Sequence, residues 1–170
     1  MAAKVVGQVP LEMFADVREA AGIDPSDTFQ PINFLWRPEK PASDYHQGIS
    51  EAAGPLISLI QEANPGPPIK LVDVSVRVEH IPPSGIAYFN GRHLWHRDGM
   101  KQSNNDRYVT SDGLCTQFPF SKVESEPGAV VHFRRELHRP PRNKTRDMIF
   151  RTWIRTTIMH TIPPDLQPEA

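Results

Sequence analysis

The sequence is short of cysteine: Cys115 is the only one in 170 residues. One thiol cannot close an intrachain disulfide or build a cysteine-rich zinc module, and it mildly favours a reducing compartment. Long apolar runs are lacking too, and no segment approaches the ~18 to 20 apolar residues of a membrane span. The opening MAAKVVGQVP has no apolar h-region of the kind a signal peptide needs. Neither sign of charge is in excess, with a formal net charge of −1, so global charge selects no polyanionic partner. The expectation is a soluble, cytoplasmic domain with no membrane partner, its oligomeric state left open. No internal repeat or low-complexity linker divides it, and its length suits one domain with one core.

Proline is plentiful, at 18 residues, about twice average usage. It clusters in PEKPAS, PGPP, IPPSG, RPPRN and IPPDLQP. Each cluster removes backbone donors and interrupts regular structure, which excludes a helical bundle. Residues 10–23 have Leu11, Phe14, Val17 and Ala21 at helical spacing, with Pro10 suited to the first turn. Residues 43–64 read as a longer helix capped by Ser43, which Pro55 should kink or split. The period then changes: Val72, Val74, Val76 and Val78 alternate with Asp73, Ser75, Arg77 and Glu79 in a strand over 69–81. Further short strands are expected at 86–89, 94–98, 107–110, 115–120, 129–135 and 148–158. Helices followed by many strands argue for an antiparallel sheet with helices on one face, closed as a small sandwich or barrel. The expected layout is a single domain over 1–170: helical support in 1–66, a β core in 67–160 and a tail in 161–170.

The stretch RHLWHRDGMKQ (92–102) contains His96 and Asp98. Residues i and i+2 of a strand share a face, so an imidazole and a carboxylate can aim at one point while Arg97 turns away. A mixed nitrogen and oxygen site with open positions suits ferrous iron, commonly held by two histidines and one carboxylate. Of the other histidines, His138 stands out by context. It follows a turn and strand in EPGAVVHFRRELHRPPRN and precedes a Pro-Pro break.

His96-x-Asp98, then His138, then arginines on a following strand resembles the iron(II)/2-oxoglutarate-dependent dioxygenases. The pattern is most similar to the phytanoyl-CoA-hydroxylase-like and related small bacterial or phage enzymes. WHRDG, EPGAVVHF and HRPPRNKTRDMIFR carry the likeness, which covers roughly residues 70 to 158. It implies a double-stranded β-helix (a cupin-like jelly-roll) with flanking helices. It also implies Fe(II) on His96, Asp98 and His138, with 2-oxoglutarate and dioxygen as cosubstrates. An arginine after the last histidine would grip the distal carboxylate of 2-oxoglutarate, because a planar guanidinium binds carboxylate bidentately. The family commonly places it about ten positions on. Arg146 lies eight after His138, Arg151 thirteen and Arg155 seventeen. Arg151 is favoured because it sits within the strand pattern, sharing a face with Trp153 and Arg155. If that face looks into the barrel, both arginines need anionic partners. The carboxylate at position 98 points to hydroxylation, oxidative cyclisation or desaturation, since halogenating relatives lack it.

Other positions keep two readings. Thr116 and Gln117 could hydrogen-bond cosubstrate. Asn104, Asn105 and Tyr108 could contact substrate or belong to an ordinary turn. Trp95 and Trp153 are more often core than platform. His93 reads as an exposed loop residue, and His132 as a polar, outward one. The basic run from Arg134 to Arg155 would suit an anionic small molecule or a nucleic acid, with Arg142 and Arg146 flanking the mouth. Alternatively it is a solvated face. Three functions follow: an oxygenase for a small polar molecule, the same chemistry on a nucleic-acid base or other macromolecule, or a cupin-like metal-binding protein without oxygenase activity.

Overall fold

The structure is a computed structural model, which describes residues 2–24, 29–36, 44–64, 66–87, 97, 105–121, 123 and 125–160. Its elements in chain order are β1 (Lys4–Gln8), α1 (Glu12–Ala20), β2 (Phe29–Trp36), α2 (Asp44–Ala52), α3 (Gly54–Ala63), β3 (Leu71–Ile81), β4 (Arg107–Ser111), β5 (Ala129–Phe133) and β6 (Ile149–Met159). The strands form one six-stranded sheet in the order β1-β5-β4-β6-β3-β2, with every neighbouring pair antiparallel. Its centre is the β3–β6 ladder, in continuous register from Leu71↔Met159 to Ile81↔Ile149.

The helices cover one face. Val72, Val74, Val76 and Val78 of β3, with Ile154 and Ile158 of β6, join Phe14 and Val17 of α1 and Leu56 and Ile60 of α3 in one buried cluster. Each such side chain stabilises the fold by about 1.5 to 3 kcal/mol on burial. The reading of 43–64 resolves into α2 and α3, with Pro55 in the first turn of α3, where its missing N–H has no helical partner to lose.

Two strands depart from the expected order of helices first and strands after. β1 and β2 arise within residues 1–66 and form the two edges of the sheet. β2 contains Pro31, opposite Arg77, and proline is tolerated there because one side of an edge strand needs no ladder donor. β1 is tied down by Gly128, whose φ is +83°. A Cβ there would lie 2.7 Å from the Val9 carbonyl oxygen. Val9 in turn donates its N–H to the Gly128 carbonyl at 2.9 Å.

A smaller layer lies against the other face. The Asn143 N–H donates to the Gly85 carbonyl at 2.8 Å, and the Ala87 N–H to the Pro141 carbonyl at 3.0 Å. Gln117 and Arg139 exchange two backbone hydrogen bonds of 3.1 Å. Residues 139–143 therefore run between 85–87 and the strand-like segment around Gln117. β3 shows the consequence. An alternating antiparallel strand commonly has solvent on its polar face, yet Ser75, Arg77 and Glu79 are all buried.

Candidate active site

Strand alternation sets what lines the space between the layers. Asp73, Ser75, Arg77 and Glu79 of β3 point there, because their valine neighbours point to the helices. From β6 come Arg151, Trp153, Arg155 and Thr157, and from β4 Arg107, Val109 and Ser111. Val131 and Phe133 of β5 join Val109, Trp153 and Phe118 in a second apolar cluster on this side. One half of the interior is thus apolar and the other charged. Among the described residues the charged half holds four arginines (77, 107, 151, 155) against two carboxylates, Asp73 and Glu79. This positive excess favours an anion inside.

The expected face of Arg151, Trp153 and Arg155 does look inward, and each arginine has an internal acid. Arg151 Nε donates to Glu79 Oε2 at 2.9 Å, with both side chains almost fully buried. Arg151 Nη1 donates to the Leu114 carbonyl. Burial pushes the Glu79 carboxyl up, against the opposing pull of Arg151 and Arg77. Burial also lowers the Arg151 guanidinium, against the pull of Glu79. The second oxygen, Glu79 Oε1, is buried and makes no hydrogen bond among the described residues. Asp73, raised by burial, is opposed by Arg155. Trp153 lies between two cations, with Arg77 5.0 Å and Arg155 5.6 Å from its ring. Its Nε1 donates to Thr116 Oγ1 at 3.2 Å.

His138 enters the same space. Its ring lies 5.1 Å from Phe133 and 5.8 Å from Phe118, both in the interior apolar cluster. Its Nδ1 is 2.9 Å from the Glu136 carbonyl. A carbonyl only accepts, so Nδ1 carries a proton. Metal-binding histidines are commonly oriented by such a contact. His138 therefore fits the role of a metal ligand. His96, Asp98, His93, Trp95 and Asn104 lie outside the described residues, so the ligand set is not assembled here. Among the described residues no three His, Cys, Asp or Glu side chains cluster as a metal site. Arg97 is exposed. The chain reaches Ala87 antiparallel to 139–143, heading toward the His138 end of that segment.

Several expected site residues sit elsewhere. Tyr108 is 2% exposed in the helix-facing core, because it alternates with the inward Arg107 and Val109. Burial, first, and the Asp106 carboxylate push its hydroxyl up to about 12. His132 is on that same side, but buried rather than solvated: Nε2 is 2.6 Å from Asp106 Oδ1 and the ring is 4.8 Å from Tyr108. Arg146 is exposed in the turn that Asn143 ties to the Ile81 carbonyl, at the β3 end paired with Ile149. His138 packs on Phe133, whose ladder partner Arg107 pairs with Thr157. Eight residues of β6 separate these levels, roughly 26 Å at ~3.3 Å each, so Arg146 does not flank the His138 end. Arg142 is exposed and outside the interior. Thr116 is inside, bonded to Trp153. Asn105 is half-buried, its carbonyl 3.4 Å from Arg107 Nη1. Gln117 faces outward with Arg139, whose Nε donates to its Oε1 at 2.8 Å. Cys115 is pushed up by burial, which keeps it a thiol and a poor nucleophile.

Residues not assigned to the site, Arg77, Glu79, Asp73 and Arg107, line it. The signal was present in β3, where alternate positions are not merely polar but charged. The basic run forms no single surface: Arg134 is bound to Asp106 at 2.7 Å, Arg139 to Gln117, and Arg151 and Arg155 lie inside.

No protein-family model and no curated protein matches the chain. Solved structures do. AviO1 from Streptomyces viridochromogenes Tue57 is similar with a TM-score of 0.53 at 15% identity, over 96% of this chain and 92% of that one. IDO from Bacillus thuringiensis is similar with a TM-score of 0.52 at 7% identity, over 87% and 82%. A Pseudomonas putida prolyl-4-hydroxylase reaches 0.46 at 13% identity, over 94% and 92%. At these identities the likeness is one of fold. The chain is a mainly β, cupin-like jelly-roll domain, with the charged face of its larger sheet turned inward.

Proposed function

We propose that the protein is an iron(II)- and 2-oxoglutarate-dependent oxygenase that hydroxylates a small polar molecule. The observation that carries this is His138, inside the jelly-roll with Nδ1 held by the Glu136 carbonyl, the contact that commonly orients a metal-binding histidine. His96 and Asp98 are its partners on the iron. Iron with 2-oxoglutarate and dioxygen supplies oxidation of an unactivated C–H, with succinate and carbon dioxide as coproducts. The chain does the rest. The arginine excess draws the dianionic cosubstrate inward, and Phe118 and Phe133 keep water from the His138 ring.

The arginine that grips the distal carboxylate is better sought beside Trp153 than at Arg151. Arg151 lies six residues of β6 from Thr157, about 20 Å along the strand, where it is bonded to Glu79 and the Leu114 carbonyl. Arg155 lies two residues from Thr157, about 7 Å along the strand, and Arg77 lies opposite Trp153. These two are the proposed anchors. The division of the basic run between internal partners favours a small molecule over a nucleic acid.

Anaerobic titration with ferrous iron and 2-oxoglutarate should develop the weak visible charge-transfer band of the chelate. His138→Ala should abolish it. Arg155→Gln should weaken 2-oxoglutarate at least tenfold and leave iron affinity in place. A folded wild-type protein that never shows the band refutes the proposal.

A further inference from the structure

The smaller layer is interrupted, and the interruption has a cause in the sequence. Segments 114–118 and 139–145 run antiparallel and are laddered at Gln117 and Arg139. The next hydrogen-bonded pair would be Cys115 with Pro141. Pro141 has no N–H to offer, and its carbonyl accepts from Ala87 on the opposite side instead. The ladder stops there, and a cavity of about 690 Å³ opens between the two segments. That is within the usual range for small-molecule sites.

Its lining is of two kinds. Phe118, Pro119 and Val123 supply apolar wall, while Arg142 and Lys144 stand at the rim, with no Asp or Glu among the described residues that line it. Both cations are exposed, and among the described residues neither makes an ion pair. The wall itself is firmly held from behind, through Arg151 on the Leu114 carbonyl and Trp153 on Thr116. A fixed apolar wall beside two cations complements one chemical class.

We propose that this cavity binds a small organic acid, with its apolar body on Phe118, Pro119 and Val123 and its anionic head between Arg142 and Lys144. The cavity borders the interior that holds His138, sharing Thr116 and Phe118 with it, but the proposal does not rest on the iron reading.

The test is calorimetric titration of the full chain, without iron or 2-oxoglutarate, using 4-phenylbutyrate as the probe. The acid should bind at least tenfold more tightly than 4-phenylbutan-1-ol, since charge-assisted hydrogen bonds contribute that much. Arg142→Gln/Lys144→Gln, a change of two exposed side chains, should remove this preference. His138→Ala should leave the binding in place, whatever it does to iron. Equal affinity for the alcohol, or an unaltered double variant, overturns the proposal. So does loss of binding in His138→Ala, which would put the acid at the iron site.

Discussion

Replacing Arg151 with methionine keeps much of the side-chain stem and removes the charge that faces Glu79. Glu79 is 3% exposed as a side chain, so water cannot reach it, and its carboxylate keeps only the weaker pull of Arg77. Its cheapest escape is to take a proton. From the ordinary glutamate value of 4.5, protonation at pH 7 costs about 3.4 kcal/mol, at ~1.36 kcal/mol per unit. That figure caps the electrostatic part of the loss, and at pH 5 the cap falls to about 0.7 kcal/mol. The bond to the Leu114 carbonyl is lost at any pH, for about 1 kcal/mol more. Arg151→Met should therefore cost about 4 kcal/mol at pH 7 and about 2 at pH 5, from a total of roughly 5 to 15. The sign agrees with the direction of the shift. An acid raised in the folded state contributes stability that is present below its unfolded value and lost as pH rises through the folded one. Arg151 opposes that rise, so removing it widens the window. Urea unfolding followed by circular dichroism at both pH values measures the difference. Adding Glu79→Gln to Arg151→Met removes the stranded charge and should recover at least half of the loss at pH 7. Equal losses at pH 5 and pH 7, or a double variant no more stable than the single one, would refute the assignment of Arg151 as the counterion of Glu79.

Two further substitutions probe other buried polar groups. Burial alone would raise the Asp106 carboxyl, but hydrogen bonds from Arg134 and His132 outweigh it and hold the group below its ordinary range. Its stabilisation is present above the unfolded value of 3.8 and lost as pH falls through the folded one. Asp106→Asn should cost about 1 to 2 kcal/mol at pH 7, discounted for the half-exposed Arg134, and should flatten the acid limb of a melting-temperature profile. Asn143 is fully buried. Its Nδ2 donates to the carbonyls of Ile81 and Asp147, and its Oδ1 accepts from the Thr145 N–H and hydroxyl. Asn143→Ala strands these partners and should cost about 3 kcal/mol in urea unfolding. A loss below about 1 kcal/mol would show that the turn holds without it.

Period-2 patterning located the two central strands closely. Residues 69–81 and 148–158 became Leu71–Ile81 and Ile149–Met159, because eleven alternating positions leave little room for a register error. β1 and β2 escaped for local reasons: β1 is five residues long, and β2 carries a proline that argues against a strand unless its edge position is known. The same division runs through the site. The context of His138 and the common face of Arg151 and Trp153 are local properties, and both were legible. That Glu79 is the partner of Arg151, 72 residues away, depends on ladder register, which no local pattern specifies.

Tyr108 shows how parity decides such cases. Shifted by one position it would have entered the barrel, yet a polar stretch after Asp98 offered no phase by which to choose. β3 does offer one. Valines at 72, 74, 76 and 78 fix the phase, so the other face had to hold Asp73, Ser75, Arg77 and Glu79 whichever way it looked. What the strand could not disclose is whether that face meets water or a second layer, since the alternation is the same in both cases. Composition separates them in part. A solvated face commonly carries charges that water can satisfy individually, whereas a covered face must balance them across the sheet. Arg151 lies opposite Glu79 and Trp153 opposite Arg77, so the polar face of β6 answers that of β3 position by position. Two strands whose non-valine faces complement each other in this way point to a charged interior, and in this protein that interior also receives His138.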